Sequence, residues 1–302
     1  MSAALAISVV IRTRLPPGEA PAFLESLNHQ WRRPDEIIVI DSGSPRGVVE
    51  SLRSTAGGTC QPPDDHPLLT CAPLRLIEIP PESYQSARAL NTAIAAARGD
   101  LIAILSQDAT PRPAFLARLA ACFEDWQIAG AYGRQCPGPI FDPLVTKDLL
   151  TTYPPRSRVQ RAPDCWFVNT CSMIRRDLWE RHPFQEWAVI SEDHEWAKWA
   201  QSQGFAVAYC AEAEVEHAHA PRGLWRRHFQ EGLGLGAIHG QAPSAGASLA
   251  SYIRQVGSDA VWLTRRRRPH WIPASVWRRG VKHAALHAGM HRAVRGLTRG
   301  AT

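Results

Sequence analysis

Short, nearly uninterrupted apolar runs recur along the first half of the chain, and each gives way to a segment with helical spacing. Residues 7–11 (ISVVI), 36–40 (EIIVI), 74–79 (LRLIEI) and 101–105 (LIAIL) read as strands buried on both faces. Between them, APAFLESLNHQ predicts a helix beginning near Pro21. SARALNTAIAAARG predicts another, with Ala87, Leu90, Ile94 and Ala97 on one face and Gly99 as its stop. PAFLARLAACFED predicts a third, with proline near its first turn. Alternating strands and helices imply an α/β fold in which a mostly parallel sheet carries helices on both faces. Ligands of such sheets gather beyond the carboxyl ends of the strands. Asp41 and Asp108 both follow strand ends, which places them on one rim.

The second half is organised differently. Residues 57–73 turn to Pro, Asp and Gly, the composition of a surface insertion. SEDHEWAKWAQSQG predicts a helix stopped by Gly204, and FAVAYCAEAEVEHAH follows it. Near Pro221 the pattern changes to arginine, tryptophan and glycine. This suggests one domain over 1–220 and a helical, basic region over 221–302.

Composition narrows the class. At 45% hydrophobic and 21% charged, a chain of 302 residues has a substantial core. Seven cysteines with no C-x-x-C pair argue against a zinc ribbon or a disulfide scaffold and fit a reducing cytoplasm. No run approaches the roughly 20 apolar residues of a membrane span, and MSAALAISVVIRTR reads as a first strand, not a signal peptide. The net charge of +6 is concentrated near the end, in RRRR (265–268), WRRG and HRAVRG. This tail is either a solvated basic face or an attractor for an anionic surface. The segment VWRRGVKHAALHAGMHRAVRGL, with Val281, Ala285, Leu286 and Met290, reads as an amphipathic helix. It would lie on an anionic leaflet or pack on the catalytic domain. No nucleic-acid-binding module accompanies it.

Several ordered pieces carry the candidate chemistry: SVVIRTR, EIIVIDSGS, SARALNTAIAAARGDLIAILSQDATP, FVNTCSMIRRDLWE, PFQEWAVISEDHEWAKWAQSQG and VEHAH. Together they resemble glycosyltransferase family 2, the inverting sugar transferases with a GT-A fold, over roughly residues 5–230, and IDSGS with LSQDATP is most similar to its rhamnosyltransferase-like branch. The resemblance implies transfer of a sugar from a nucleotide-sugar donor, such as dTDP-rhamnose or a UDP-sugar, to a glycan or lipid-linked acceptor. It also implies a Mn2+ or Mg2+ cofactor and work at the cytoplasmic side of the cell membrane, with peripheral contact. The absence of G-x-G-x-x-G after the first strand counts against a dinucleotide oxidoreductase. A sugar-nucleotide-binding relic recruited through the basic tail is the alternative.

The resemblance assigns roles residue by residue. Thr13, Arg14, Asp41, Arg88, Asn91 and Gln107 fall where the family holds the nucleotide. Asp41 could equally cap the DSGS turn, and Arg88 could be a surface ion-pair partner. The family's D-x-D reads SQD here, so Ser106 replaces the first acid and Asp108 is left as metal ligand, with His219 or His217 as a further ligand. Asp193, at the start of a helix, matches the family's general base; the bland reading is that 191–193 cap that helix. Glu192 beside it and Trp166 or Trp187 are candidates for sugar or acceptor contact.

Overall fold

The computed structural model describes residues 5–16, 22–57, 72–138, 142–217 and 223–300. The Pro- and Gly-rich stretch largely lies outside them, in 58–71, as does His219.

The first four apolar runs form a parallel unit. β1 (Ile7–Thr13) lies between β2 (Glu36–Asp41) and β4 (Leu101–Ser106), and β3 (Leu74–Glu78) extends the sheet beyond β2. Alternation along each strand splits the side chains between two cores. Ile7, Val9, Ile11, Ile37, Val39, Leu101, Ala103 and Leu105 pack on one face against α1 (Ala22–Asn28), α2 (Arg46–Gly57) and α4 (Phe115–Ala121). Val10, Ile38, Ile40, Ile102 and Ile104 face α3 (Ser86–Ala95) on the other.

The second half of the sheet is mixed, where the sequence pattern suggested mostly parallel pairing. β6 (Ile128–Pro137) leads into α5 (Pro143–Thr152), β7 (Arg158–Gln160) and then β8 (Cys171–Arg175). β8 re-enters the sheet in the opposite direction and lies antiparallel between β4 and β6. α6 (Arg176–Arg181) and α7 (Glu192–Ser202) then carry the chain to β9 (Ala206–His217). β9 is parallel to β6 and antiparallel to β7 and to β5 (Ala109–Pro111). Among the described residues the sheet has nine strands.

Gly99 does not stop α3, which ends at Ala95. A Cβ at Gly99 would lie 2.6 Å from the Ser8 backbone nitrogen, so the glycine is required by close passage of the chain over β1.

Three long helices follow: α8 (Leu224–His239), α9 (Ala245–Arg265) and α10 (Ile272–Gly300). They pack on the sheet domain. α8 and α10 cross so closely that a Cβ at Gly232 would come within 2.5 Å of the Leu286 carbonyl oxygen, and one at Gly289 would strike Phe229. Small residues at a crossing let two helix backbones approach in this way. Ala285 is fully buried, so the face of α10 expected to meet a membrane is occupied in large part by other helices.

A buried ion cluster anchors α9 and α10 to α5. Asp259, with no exposed surface, accepts from Lys147 Nζ (2.5 Å), Arg279 Nε (2.8 Å) and Ser275 Oγ (2.6 Å). Arg279 also grips Asp148 with two bonds of 2.7 Å. Burial alone would raise the Asp259 pKa, but Arg279, Lys147 and Ser275 hold it below the usual carboxylate range. Its contribution to stability is therefore present above the unfolded carboxylate pKa and disappears as pH falls through the folded value.

Asp259→Ala leaves buried Lys147 without its carboxylate and takes from Arg279 one of its two acids, and should cost about 3–5 kcal/mol. Urea unfolding at neutral pH measures this, and the deficit should shrink as wild type is acidified. A loss below about 1 kcal/mol, the range of an exposed ion pair, would mean the cluster does not anchor the helices.

Candidate active site

The carboxyl ends of β1, β2 and β4 form one rim, because parallel strands in register finish together: Thr13 lies opposite Asp41 and Arg12 opposite Ser106. Asp41 is buried and caps its own turn. Oδ1 accepts from the Gly43 and Ser44 backbone nitrogens at 3.0 and 2.9 Å, and Oδ2 from the hydroxyls of Thr13 (2.9 Å) and Ser44. Four bonds fill the accepting capacity of a carboxylate. A nucleoside contact there requires Thr13 or Ser44 to turn its hydroxyl away. Beside it, Gln107 clasps the backbone of Arg14 reciprocally, accepting from its nitrogen at 2.6 Å and donating to its carbonyl at 3.2 Å. Gln107 thus ties the rim together by side chain where the β-ladder has ended.

Arg88 and Asn91 are engaged elsewhere. Arg88 forms an exposed, forked ion pair with Glu186, its closest bond 2.6 Å. Asn91 donates to the Phe184 carbonyl at 2.8 Å and accepts from Trp179 Nε1 and the Phe184 nitrogen. Both residues do share one helix face, as their spacing required, but that face holds down the segment before α7.

Asp108, two residues past β4, faces the end of β9. Its Oδ2 lies 3.3 Å from His217 Nε2. His217 Nδ1 lies 2.7 Å from Gln135 Oε1, and Gln135 Nε2 donates to the Tyr153 hydroxyl at 2.7 Å. Gln135 Oε1 accepts the hydrogen bond of Nδ1–H, and Nε2 is the nitrogen turned toward Asp108. An imidazole nitrogen and a carboxylate oxygen so close together suit a shared divalent cation, whose remaining positions phosphate oxygens and water can fill. Among the described residues no group of three such side chains forms a complete metal cage. Asp108 and His217 therefore fit the implied ion as a partial site.

Asp193 sits in the first turn of α7, where the helix dipole favours an ionised acid. Ser191, at the cap position, makes no side-chain cap bond. Asp193 accepts from the backbone nitrogens of Asn169 (3.0 Å) and His194 (2.7 Å). Its neighbour Glu192 is buried and bonded to Ser86 and to Arg12, whose Nη1 is 3.3 Å away. Burial, and then the charge of Glu192, push the Asp193 pKa up to about 7, against the opposing bonds from Asn169 and His194 and the charge of Arg12. Burial and the nearby charges of His239 and Lys198 push His194 down to about 4, leaving it neutral at physiological pH. Glu192 Oε2 and Asn169 Nδ2 are buried with no hydrogen-bond partner, an acceptor and a donor in the wall beside Asp193.

A cleft of about 780 Å³ opens over Asp193. Arg12, Ser86, Asn169 and His217 line its sheet side, and the half-exposed Trp166 stands at its wall. α8 and α10 supply the opposite wall, including Arg227, His228, Glu231 and Lys282. The C-terminal helices are thus part of the site. Gly234 lets α8 sit against the turn before α7, where a Cβ would meet the Ser191 hydroxyl at 2.5 Å. Sequence reasoning missed Arg12, Asn169, Arg227 and Lys282. The only available signal was the cation inside IRTR, at the end of an otherwise apolar strand.

Mn2+ binding in the presence of a nucleoside diphosphate, followed by electron paramagnetic resonance, tests the Asp108–His217 pair. His217→Ala should lose most of the affinity, and Gln135→Leu, which frees the imidazole to turn, about tenfold. Unchanged binding in His217→Ala would remove it as a ligand.

The model of the family described as "Glycosyl transferase family 2" matches residues 8–182. The O-antigen chain rhamnosyltransferase RfbN of Salmonella typhimurium is 27% identical, over 94% of this chain and 90% of that protein. WbaN of Salmonella anatum, also an O-antigen chain rhamnosyltransferase, is 25% identical over 89% and 84%. Among solved structures, a mannosyltransferase from Pyrobaculum calidifontis in complex with GDP-Man and Mn2+ superposes with a TM-score of 0.54 at 22% identity, covering 98% of this chain and 79% of that one. GalNAc-T7 with UDP, GalNAc and Mn2+ gives 0.51 at 15% identity, over 73% and 44%. The first of these likenesses spans nearly the whole chain, the C-terminal helices included. The chain belongs to glycosyl transferase family 2, in its rhamnosyltransferase-like branch, and has the GT-A fold.

Proposed function

We propose that this chain is an inverting glycosyltransferase of cell-surface polysaccharide synthesis. It moves a sugar, with dTDP-rhamnose or a UDP-sugar as donor, onto a glycan or lipid-linked acceptor. The observation that carries the reading is Asp193: a carboxylate poised near neutrality at a helix N-terminus, opening on a cleft that is also lined by His217, 3.3 Å from Asp108. The alternative, a binding relic, is disfavoured because Asp193 retains the surroundings of a general base.

In this reaction the acceptor hydroxyl oxygen bonds to the anomeric carbon while the bond from that carbon to the nucleoside diphosphate breaks on the opposite face. Asp193 takes the hydroxyl proton. Glu192 Oε2 and Asn169 Nδ2 are positioned to orient hydroxyls of the sugar or acceptor, and Trp166 offers an aromatic face for a ring. Thr13, Asp41 and Gln107 frame the nucleoside end, with Arg14 beside them. A divalent cation held by Asp108 and His217 would neutralise charge developing on the departing diphosphate.

The relatives named for O-antigen chain synthesis support the polysaccharide role. No helix among the described residues is long and apolar enough to cross a membrane. Peripheral attachment at the cytoplasmic face is the mode of access that the basic C-terminal region supports.

Asp193→Asn should fold and bind nucleotide yet lose transfer by at least about a hundredfold; near-full transfer would remove Asp193 from the mechanism. Because the base must be ionised, wild-type kcat/KM should rise with pH through about 7. Arg12→Gln removes a favourable positive charge and should move that limb to higher pH, whereas Glu192→Gln removes a repelling negative charge and should move it lower. An unmoved limb in both variants would mean that another group governs it.

A further inference from the structure

α9 carries an apolar stripe that no described part of the chain covers. Leu249, Ile253 and Val261 stand 57%, 61% and 54% exposed, and with the exposed Gly257 they recur every four residues along one helix face. Trp277, 64% exposed, and Val276 stand near the start of α10, just past the turn that ends α9. No α9 residue lines the transfer cleft. Aliphatic side chains at this exposure in a continuous row mark a contact surface more than chance scatter.

Charge identifies what the surface meets. The single acid of α9 is Asp259, and it is buried in the ion cluster. The ionisable groups on the open face are Arg254 and Arg265, continued by Arg266, Arg267 and Arg268. Residues 260–302 hold ten Lys and Arg and no Asp or Glu; since the chain is +6, residues 1–259 sum to −4. Of the ten, Arg278 and Arg279 pair with acids of the first part of the chain and Lys282 lines the cleft, so the exposed cations beside the apolar row are Arg265 to Arg268, together with Arg254. Arg266 lies over the Trp262 ring at 4.5 Å, an amphipathic pair suited to a boundary between water and hydrocarbon. A nucleic acid would match the arginines but leave the aliphatic row unused, and a protein partner would not require the absence of acids.

We propose that the exposed face of α9, with the turn into α10 and Trp277, docks on an anionic phospholipid surface, its aliphatic row entering the headgroup region and its arginines on lipid phosphates. This deepens the peripheral-membrane part of the proposed function and rests on it; the transfer chemistry stands apart. It also relocates the contact, since the face of α10 expected from sequence is spent largely on α8.

The test is flotation of the full chain with vesicles of phosphatidylcholine alone or mixed with phosphatidylglycerol. Wild type should float with the mixed vesicles and not the neutral ones, less so at high salt. Leu249→Gln/Ile253→Gln/Val261→Gln should lose at least about tenfold in partitioning. Arg254→Gln/Arg265→Gln should lose about 25-fold, near fivefold for each arginine. Both variants should keep wild-type nucleotide binding, which separates failure of docking from failure of the transferase reading. Wild type that ignores anionic vesicles, or an apolar triple variant that floats as well as wild type, overturns the proposal. So does light scattering that shows a dimer dissolved by the triple variant, or duplex binding in place of vesicle binding.

Discussion

Arg12 leaves the end of β1 and reaches the buried carboxylate of Glu192, 3.3 Å away in the first turn of α7, with Ser86 of α3 bonded to both. This contact ties the strand rim proposed to frame the nucleotide to the helix that carries the candidate base. It also sets the electrostatics of that base. Glu192 opposes ionisation of Asp193 and Arg12 favours it, so one buried ion pair fixes position and tunes charge together. Breaking it from either side would leave a charge or a polar group in a dry wall, a costly outcome that favours a single arrangement.

A second constraint acts from the opposite wall. The glycines of α8 and α10 bring two backbones into contact, and the Asp259 cluster pins α9 and α10 to α5. α8 in turn rests on the turn before α7 through Gly234. The transfer cleft thus exists only when sheet domain and C-terminal helices are docked. A division of the chain near residue 220 marks a change of composition, while the site is built from both sides of it.

What the sequence made legible was local. Uninterrupted apolar runs in ISVVI, EIIVI and LIAIL identified β1, β2 and β4 and put Asp41 and Asp108 on one rim, because those signals lie within a strand's own residues. The expected base at Asp193 came from the family resemblance of SEDHEW, and the helix start expected there is where Asp193 lies. The rest depends on partners far apart in sequence. Arg12 and Glu192 are 180 residues apart, and nothing in IRTR names its acid. Arg88 and Asn91 were correctly placed on one face, but only the folded chain shows that this face meets residues 184–186. The apolar positions of α10 left its occupant open between a lipid surface and the rest of the chain, since periodicity does not distinguish the two; in the folded chain Ala285 is buried.

The measurement that bears most directly on the account is calorimetric titration of the wild-type chain with dTDP, UDP and GDP, each with and without Mn2+. The account predicts that one nucleoside diphosphate binds and that its affinity falls at least about tenfold when the metal is withheld, as expected where phosphate oxygens complete a partial cation site. Absence of binding to all three under both conditions would contradict it, and the cleft over Asp193 would then have to serve something other than sugar transfer.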